Sequence, residues 1–265
     1  MFKLGVMSVL NVLPVYYGIL NDTIIVPCEK VFGKVTELNH KLHQGEIDLS
    51  VISSFEYAQN SNCYYVMPDL SISADGPVRS IYLFLNKPID QLSGDTIKLT
   101  NFSMTSVHLI QYLIKDKNTL FTRDNALDTA GILLIADEAI RRYYEKTDAY
   151  VYDLSSLWRD KTGLPFVFAL WAVRRDSYEK NPALVHEIYQ TLLKSKRETG
   201  TNYIEMARDY YEGIFPNSEE CEWYLKNLRY DLSEKYQEGF LRFQHEMMNI
   251  GKLSKISPLV FMPSL

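Results

Sequence analysis

The chain reads as an α/β protein built in two lobes, and three observations in its 265 residues lead there. Short apolar segments alternate with amphipathic helical ones in two successive series, the pattern of sheets whose strands are linked by helices. The run F-V-F-A-L-W-A-V from Phe166 to Val173 is too apolar for a surface connection and reads as a buried strand crossing between lobes. The remaining C-terminal stretch, about ninety residues, is helical in period.

In order along the chain, residues 3–8 form the first strand and Asn11 to Leu20 the first helix, entered through the loop Ser8 to Asn11. Ile24 to Val26 reads as a second strand. Thr36 to His43 places Leu38 and Leu42 on one helical face and stops at Gly45, a natural C-cap, before the strand Ile47 to Ile52. A further strand begins at Arg79, and Asn86 to Asp95, with Pro88 and Gly94, is a polar connection. The second series contains the strand Thr96 to Thr100, the helix Thr105 to Ile114, and the strands Gly131 to Ile135 and Ala149 to Tyr152. Asn181 with Pro182, Asn217 with Glu220, and Ser233 open three C-terminal helices whose stripes, such as Leu184, Val185, Ile188 and Leu192, belong to the core. The expected organisation is a first lobe of residues 1–88 and 175–265 and a second of residues 89–174, each with a mixed, mainly parallel sheet.

Composition bounds the function. A formal net charge of -5 leaves no basic stripe for a nucleic acid. No apolar run is long enough to span a bilayer, and the N-terminus meets Asn11 and Pro14 too early for a signal peptide, so a cytoplasmic protein without a membrane partner is expected. Three widely spaced cysteines, Cys28, Cys63 and Cys221, fit packed thiols better than disulfides or a zinc site. His40 and His43 lie on a charged, solvated helix, and His186 and His245 lie on separate C-terminal helices without acidic companions in a ligand pattern, so no metal is expected. Glycine-rich phosphate and dinucleotide motifs and the G-x-S-x-G elbow are absent from the sequence. The chain alone is compatible with a monomer or a homodimer.

In a two-lobed fold of this kind a ligand sits at the carboxyl ends of strands and the amino ends of helices. That gathers four polar loops around one cleft: Ser8 to Asn11, Ser53 to Ser54, Ser73 to Ser80, and Asn101 to Ser106. Arg79 stands among apolar residues, and its guanidinium either grips a ligand carboxylate or pairs with an internal Asp or Glu. Asn11 either caps its helix or turns to a ligand oxygen, and the Ser53 and Ser54 hydroxyls have the same two options. Thr105 and Ser106 open a helix whose amides suit a second carboxylate. An arginine on one lobe and an anion-receptive helix start on the other fit a compact dianion. His108 lies one turn into that helix, where packing is the commoner role.

The segments G-V-M-S-V-L-N-V-L-P at 5–14, G-E-I-D-L-S-V-I-S-S-F-E-Y-A at 45–58 and P-D-L-S-I-S-A-D-G-P-V-R-S at 68–80 stand in a characteristic order. T-S-V at 105–107 and Y-D-L-S-S-L-W at 152–158, leading into T-G-L-P-F-V-F-A-L-W-A-V-R-R-D at 162–176, complete the series. Together they resemble the chorismate dehydratases of the futalosine-dependent menaquinone pathway. The resemblance covers most of the first 176 residues. Departures are Val9 and Val12, where Tyr and Thr are common, and Asn101 with Phe102 in place of a Ser-Glu pair.

The resemblance implies a type II periplasmic-binding-protein-like fold and dehydration of chorismate to 3-[(1-carboxyvinyl)oxy]benzoate, with no redox cofactor or ATP. It implies that Arg79, Thr105 and Ser106 bind carboxylates, with Ser54 and Asp137 also at the substrate. Asn11 and Ser80 would meet the reacting hydroxyl or the enolpyruvyl group, and a substrate carboxylate would take the ring proton. Two other functions fit the same cleft: a carboxylate sensor that does not react, and the related enzyme acting on cyclic dehypoxanthine futalosine. The G-P-V-R-S and T-G-L-P-F-V-F-A-L-W blocks favour the dehydratase.

Overall fold

Two five-stranded sheets carry the chain, and a computed structural model describes it at residues 1–7, 9–124 and 128–265; Ser8, the first residue of one expected polar loop, lies outside them. The first sheet comprises β1 (Lys3–Met7), β2 (Glu29–Gly33), β3 (Leu49–Ser53), β4 (Tyr64–Ala74) and, much later, β10 (Phe166–Arg174), in the order β2-β1-β3-β10-β4. The second comprises β5 (Ile81–Leu85), β6 (Thr96–Lys98), β7 (Leu120–Thr122), β8 (Gly131–Ile135) and β9 (Tyr150–Asp153), in the order β7-β6-β8-β5-β9. Both sheets are mixed in the same way. The first three strands of each order run parallel, and the last two pair antiparallel. In each, the fourth place is held by a strand that arrives from the other lobe, β10 in the first and β5 in the second.

The chain therefore changes sheet between Ala74 and Ile81 and again between Asp153 and Phe166, one strand earlier than the expected boundaries at 88 and 174. Every residue of β5 is buried, as is all of β10 before Arg174, so their composition does not say which sheet receives them. Residues 24–26 are not a strand. Pro27 ends that segment, Ile25 faces solvent, and the neighbour of β1 is instead the charged edge strand β2.

Helices follow the strands. A 3₁₀ turn at Leu10–Val12 leads into α1 (Leu13–Leu20), and α2 (Val35–Gln44) ends at Gly45, whose φ of 78° only glycine adopts without strain. The others before β10 are α3 (Ser54–Asn60), α4 (Met104–Leu113), α5 (Ala136–Glu145) and α6 (Leu154–Thr162). After it come α7 (Arg175–Lys180), α8 (Pro182–Glu198), α9 (Tyr203–Tyr210), α10 (Ser218–Asn227) and α11 (Glu234–Asn249). The expected caps Asn181 and Asn217 accept from the Leu184 and Glu220 amides at 3.2 and 2.9 Å.

The C-terminal helices fasten the lobes together. α8 packs on α1, whereas α11 lies against both β10 and α4, so it touches each lobe. Trp158, Phe166 and Phe243 meet edge to face beneath it at centroid separations of 5.1 to 6.4 Å, each contact adding about 0.5–1.5 kcal/mol beyond its buried area. At Gly239 the helix passes so close to the Pro165 carbonyl that a Cβ would sit 2.2 Å from its oxygen. The end of the chain pairs with β4 through Val66 and Phe261, covering that edge of the first sheet.

Candidate active site

β1, β3 and β8 all end at the same cleft, and the helical segments that follow them begin there. Between them lies a cavity of about 700 Å³, its open mouth included, lined by Met7, Asn11, Ser53, Ser80, Thr105, Ser106, Ile135 and Ala136 among others. Most of its wall is apolar, with Val51, Ile52, Ile72, Val78 and Phe168 contributed by strands and crossovers. Such a lining suits a small organic ligand, and the few polar groups decide its orientation.

The polar groups are placed by local folding. Ser53 ends β3 and accepts from the Glu56 amide at 3.2 Å, so its hydroxyl caps α3. Ser103 does the same for α4 through the Ser106 amide at 3.1 Å, which makes Ser103 the cap where Thr105 was expected to open the helix. α5 starts without a side-chain cap, directly after β8, with Ala136 at φ 52° and its amide donating to the Ser80 carbonyl at 2.7 Å. Helix starts from both lobes thus point their amide ends at one space, a field that favours negative charge.

Asn11 and Ser80 are brought together in this cavity, as are Thr105 and Ser106. Asn11 sits in the 3₁₀ turn and caps no helix; its Oδ1 is buried and has no hydrogen-bond partner among the described residues. A buried acceptor left open costs free energy, so its persistence marks a place where a donor belongs. Ser80 Oγ accepts from the Tyr224 hydroxyl at 3.2 Å, leaving its own proton to donate. Burial pushes the Tyr224 hydroxyl far above its usual range, which keeps it the donor of that pair. Thr105 Oγ1 accepts from the Phe55 amide of the opposite lobe at 3.0 Å, and its proton too remains to be given. Tyr224 was not visible as a site residue in sequence, because it lies 144 positions from its partner on a C-terminal core stripe.

Three expected residues lie elsewhere. Ser54 is fully buried and donates to the Val167 carbonyl at 2.6 Å, tying α3 to β10. Arg79 adopts a left-handed φ of 55° in the crossover just before β5. Its guanidinium stacks 3.7 Å over Trp223 and lies 3.6 Å from Glu220, so in this structure it pairs with an internal carboxylate. Asp153 fixes that turn by accepting from the Val78 and Arg79 amides at 3.2 and 2.7 Å. Asp137, in the first turn of α5, borders the outer cleft rather than the inner cavity; burial raises its carboxyl and Arg141, 4.0 Å away, opposes that. His108 packs its ring at a tilt against Phe55, at a centroid distance of 4.1 Å, and burial holds its imidazole below the usual value. Among the described residues no trio of histidine, cysteine or carboxylate side chains is arranged to hold a metal ion.

A family model described as menaquinone biosynthesis matches residues 2–248. The chain belongs to that menaquinone-biosynthesis family. Within it, a chorismate dehydratase from Thermus thermophilus is 30% identical over 264 residues, covering 91% of this chain and 93% of that one. A chorismate dehydratase from Campylobacter jejuni is 30% identical over 164 residues, 62% of this chain and 60% of that one. Among solved structures, a Candida albicans protein described as having the generic periplasmic binding protein fold superposes with a TM-score of 0.68 at 9% identity, covering 98% of this chain and 93% of that one. At that identity the likeness speaks for the fold, which is thereby the expected periplasmic-binding-protein-like one. Among the described residues no helix is long and apolar enough to cross a membrane.

Proposed function

We propose that this family member is a cytoplasmic chorismate dehydratase, converting chorismate to 3-[(1-carboxyvinyl)oxy]benzoate and water on the futalosine route to menaquinone. The observation that carries the reading is the buried Asn11 Oδ1, unpartnered among the described residues, at a cavity ringed by helix starts from both lobes. An acceptor beside hydroxyl donors, in a field favouring anions, suits a dicarboxylate that carries a hydroxyl group.

In this mechanism Asn11 accepts from the ring hydroxyl and holds it. The ring carbon bearing the enolpyruvyl ether loses its proton, that electron pair forms the new ring double bond, and the adjacent hydroxyl departs, completing an aromatic ring. The departing oxygen takes up the proton and leaves as water. The substrate's own enolpyruvyl carboxylate serves as the base, since among the described residues no histidine or carboxylate lines the inner cavity. Ser80 and Thr105 donate to the oxygens of the substrate, with Ser106 beside them, and Tyr224 keeps the Ser80 proton directed into the cavity. The chain's own contribution is orientation and charge placement.

The purified protein mixed with chorismate should release the aromatic product, followed by its ultraviolet absorbance and by chromatography. Chorismate that binds and is recovered unchanged would instead make the chain a carboxylate-binding protein.

A further inference from the structure

The inner cavity suits an anion, yet Lys, Arg and His are absent from its lining among the described residues. Helix starts and hydroxyls supply partial charges, but a dianion brought out of water needs at least one full counter-charge nearby. Arg79 is held on Trp223 and Glu220, outside the lining. The opening above the cavity offers two cations, Lys34 and Arg141, together with Glu37, Asp137 and Glu138. Arg141 faces Asp137 at 4.0 Å, and Glu37 is taken by Lys41 at 2.6 Å. Lys34 has no carboxylate within ion-pairing distance among the described residues. Its ammonium instead rests 5.4 Å from the centre of the Phe102 ring.

That contact crosses the cleft. Lys34 precedes α2 on the first lobe, and Phe102 precedes α4 on the second. Phe102 and Val35 line both the inner cavity and its opening, so the ammonium hovers over the threshold between them. An aromatic face is a weaker partner for a cation than a carboxylate, and lysine's flexible four-carbon stem lets the charge change partners without moving the backbone.

We propose that Lys34 is the cation that receives the outer carboxylate of the bound dianion, leaving the Phe102 ring to do so as the substrate enters. The proposal rests on the dianionic substrate named above. Lys34 then sets affinity and the direction in which the ligand lies, with one carboxylate at the threshold and the other towards the start of α4. It takes no part in the proton transfer.

Lys34→Met keeps the stem and removes the charge; Lys34→Arg keeps the charge. Against wild type, Lys34→Met should raise KM for chorismate about tenfold, the size of one lost charge-assisted hydrogen bond, with the loss on KM rather than kcat. Lys34→Arg should restore most of it, and added salt should narrow the gap between wild type and Lys34→Met. Dissociation constants for 3-[(1-carboxyvinyl)oxy]benzoate, by titration calorimetry, should move in parallel, and the unfolding midpoints of the three proteins should coincide. Equal KM and equal dissociation constants for wild type and Lys34→Met would overturn the role of Lys34. A wild type that binds either dianion without turnover would instead remove the dehydratase reading, and the same binding comparison would still decide Lys34. Binding of neither dianion by the wild type would overturn both.

Discussion

Thr105→Val separates two jobs that one hydroxyl performs. Thr105 Oγ1 accepts from the Phe55 amide across the lobes at 3.0 Å, and Phe55 is the second residue of α3, so a helix start on one lobe is capped from the other. Valine keeps the shape of the side chain and deletes both its acceptor and its donor. The Phe55 amide, buried and now unpaired, should cost about 1–3 kcal/mol of folding stability. The lost donor to a substrate carboxylate, worth about 1.5–3 kcal/mol, should lower kcat/KM roughly 10- to 150-fold. Urea unfolding reads the first effect and initial rates of chorismate loss read the second, with Thr105→Ser as the control that retains both functions. Stability within about 0.5 kcal/mol of wild type would refute the interlobe cap, and kcat/KM within about threefold would refute the donor.

Asn11→Leu removes a buried acceptor that none of the described residues satisfies, so urea unfolding should find the variant as stable as wild type or up to about 1 kcal/mol more so, while turnover falls at least roughly a hundredfold. Arg79→Met breaks a half-exposed ion pair and a stacking contact, together worth about 1–2 kcal/mol, and KM measured beside it should stay within about twofold of wild type. Burial lowers the His108 pKa, so its neutral form favours the fold: this contribution is complete above the ordinary imidazole value of 6.5 and is lost as pH falls through the lower folded value. Stability measured at pH 7.5 and pH 5 should therefore fall less in His108→Leu than in wild type, the carboxylates being common to both.

The lobed α/β plan was readable because strand and helix periods alternate, and the four polar loops were readable because strand ends and helix starts coincide. Asn11, Ser80, Thr105 and Ser106 were found on that basis and do share the cavity. Arg79 misled for a physical reason: its left-handed backbone is a property of the Asp153 contact, 74 positions away, and no local pattern announces it. Ser54 and Ser53 are neighbours with the same side chain, yet one faces the cavity and the other bonds to β10, a choice set by register. β2 was missed because its sequence, two charged residues followed by two apolar ones just after Pro27, lacks the period-2 alternation of a strand.

The exchange of β5 and β10 between the sheets has a consequence for synthesis on the ribosome. All five strands of the second sheet lie between residues 81 and 153, whereas the first sheet lacks its fourth member until Phe166–Arg174 has been made. The lobe begun first is therefore finished last. Until β10 arrives, β3 and β4 have no common neighbour, and two strand edges rich in apolar residues stand open for as long as the ribosome needs to make about a hundred residues, on the order of 5–20 s. Chains stalled near residue 160 should resist protease across the second lobe and be cut in the first; equal cleavage of both would show that the order of manufacture does not govern the order of folding.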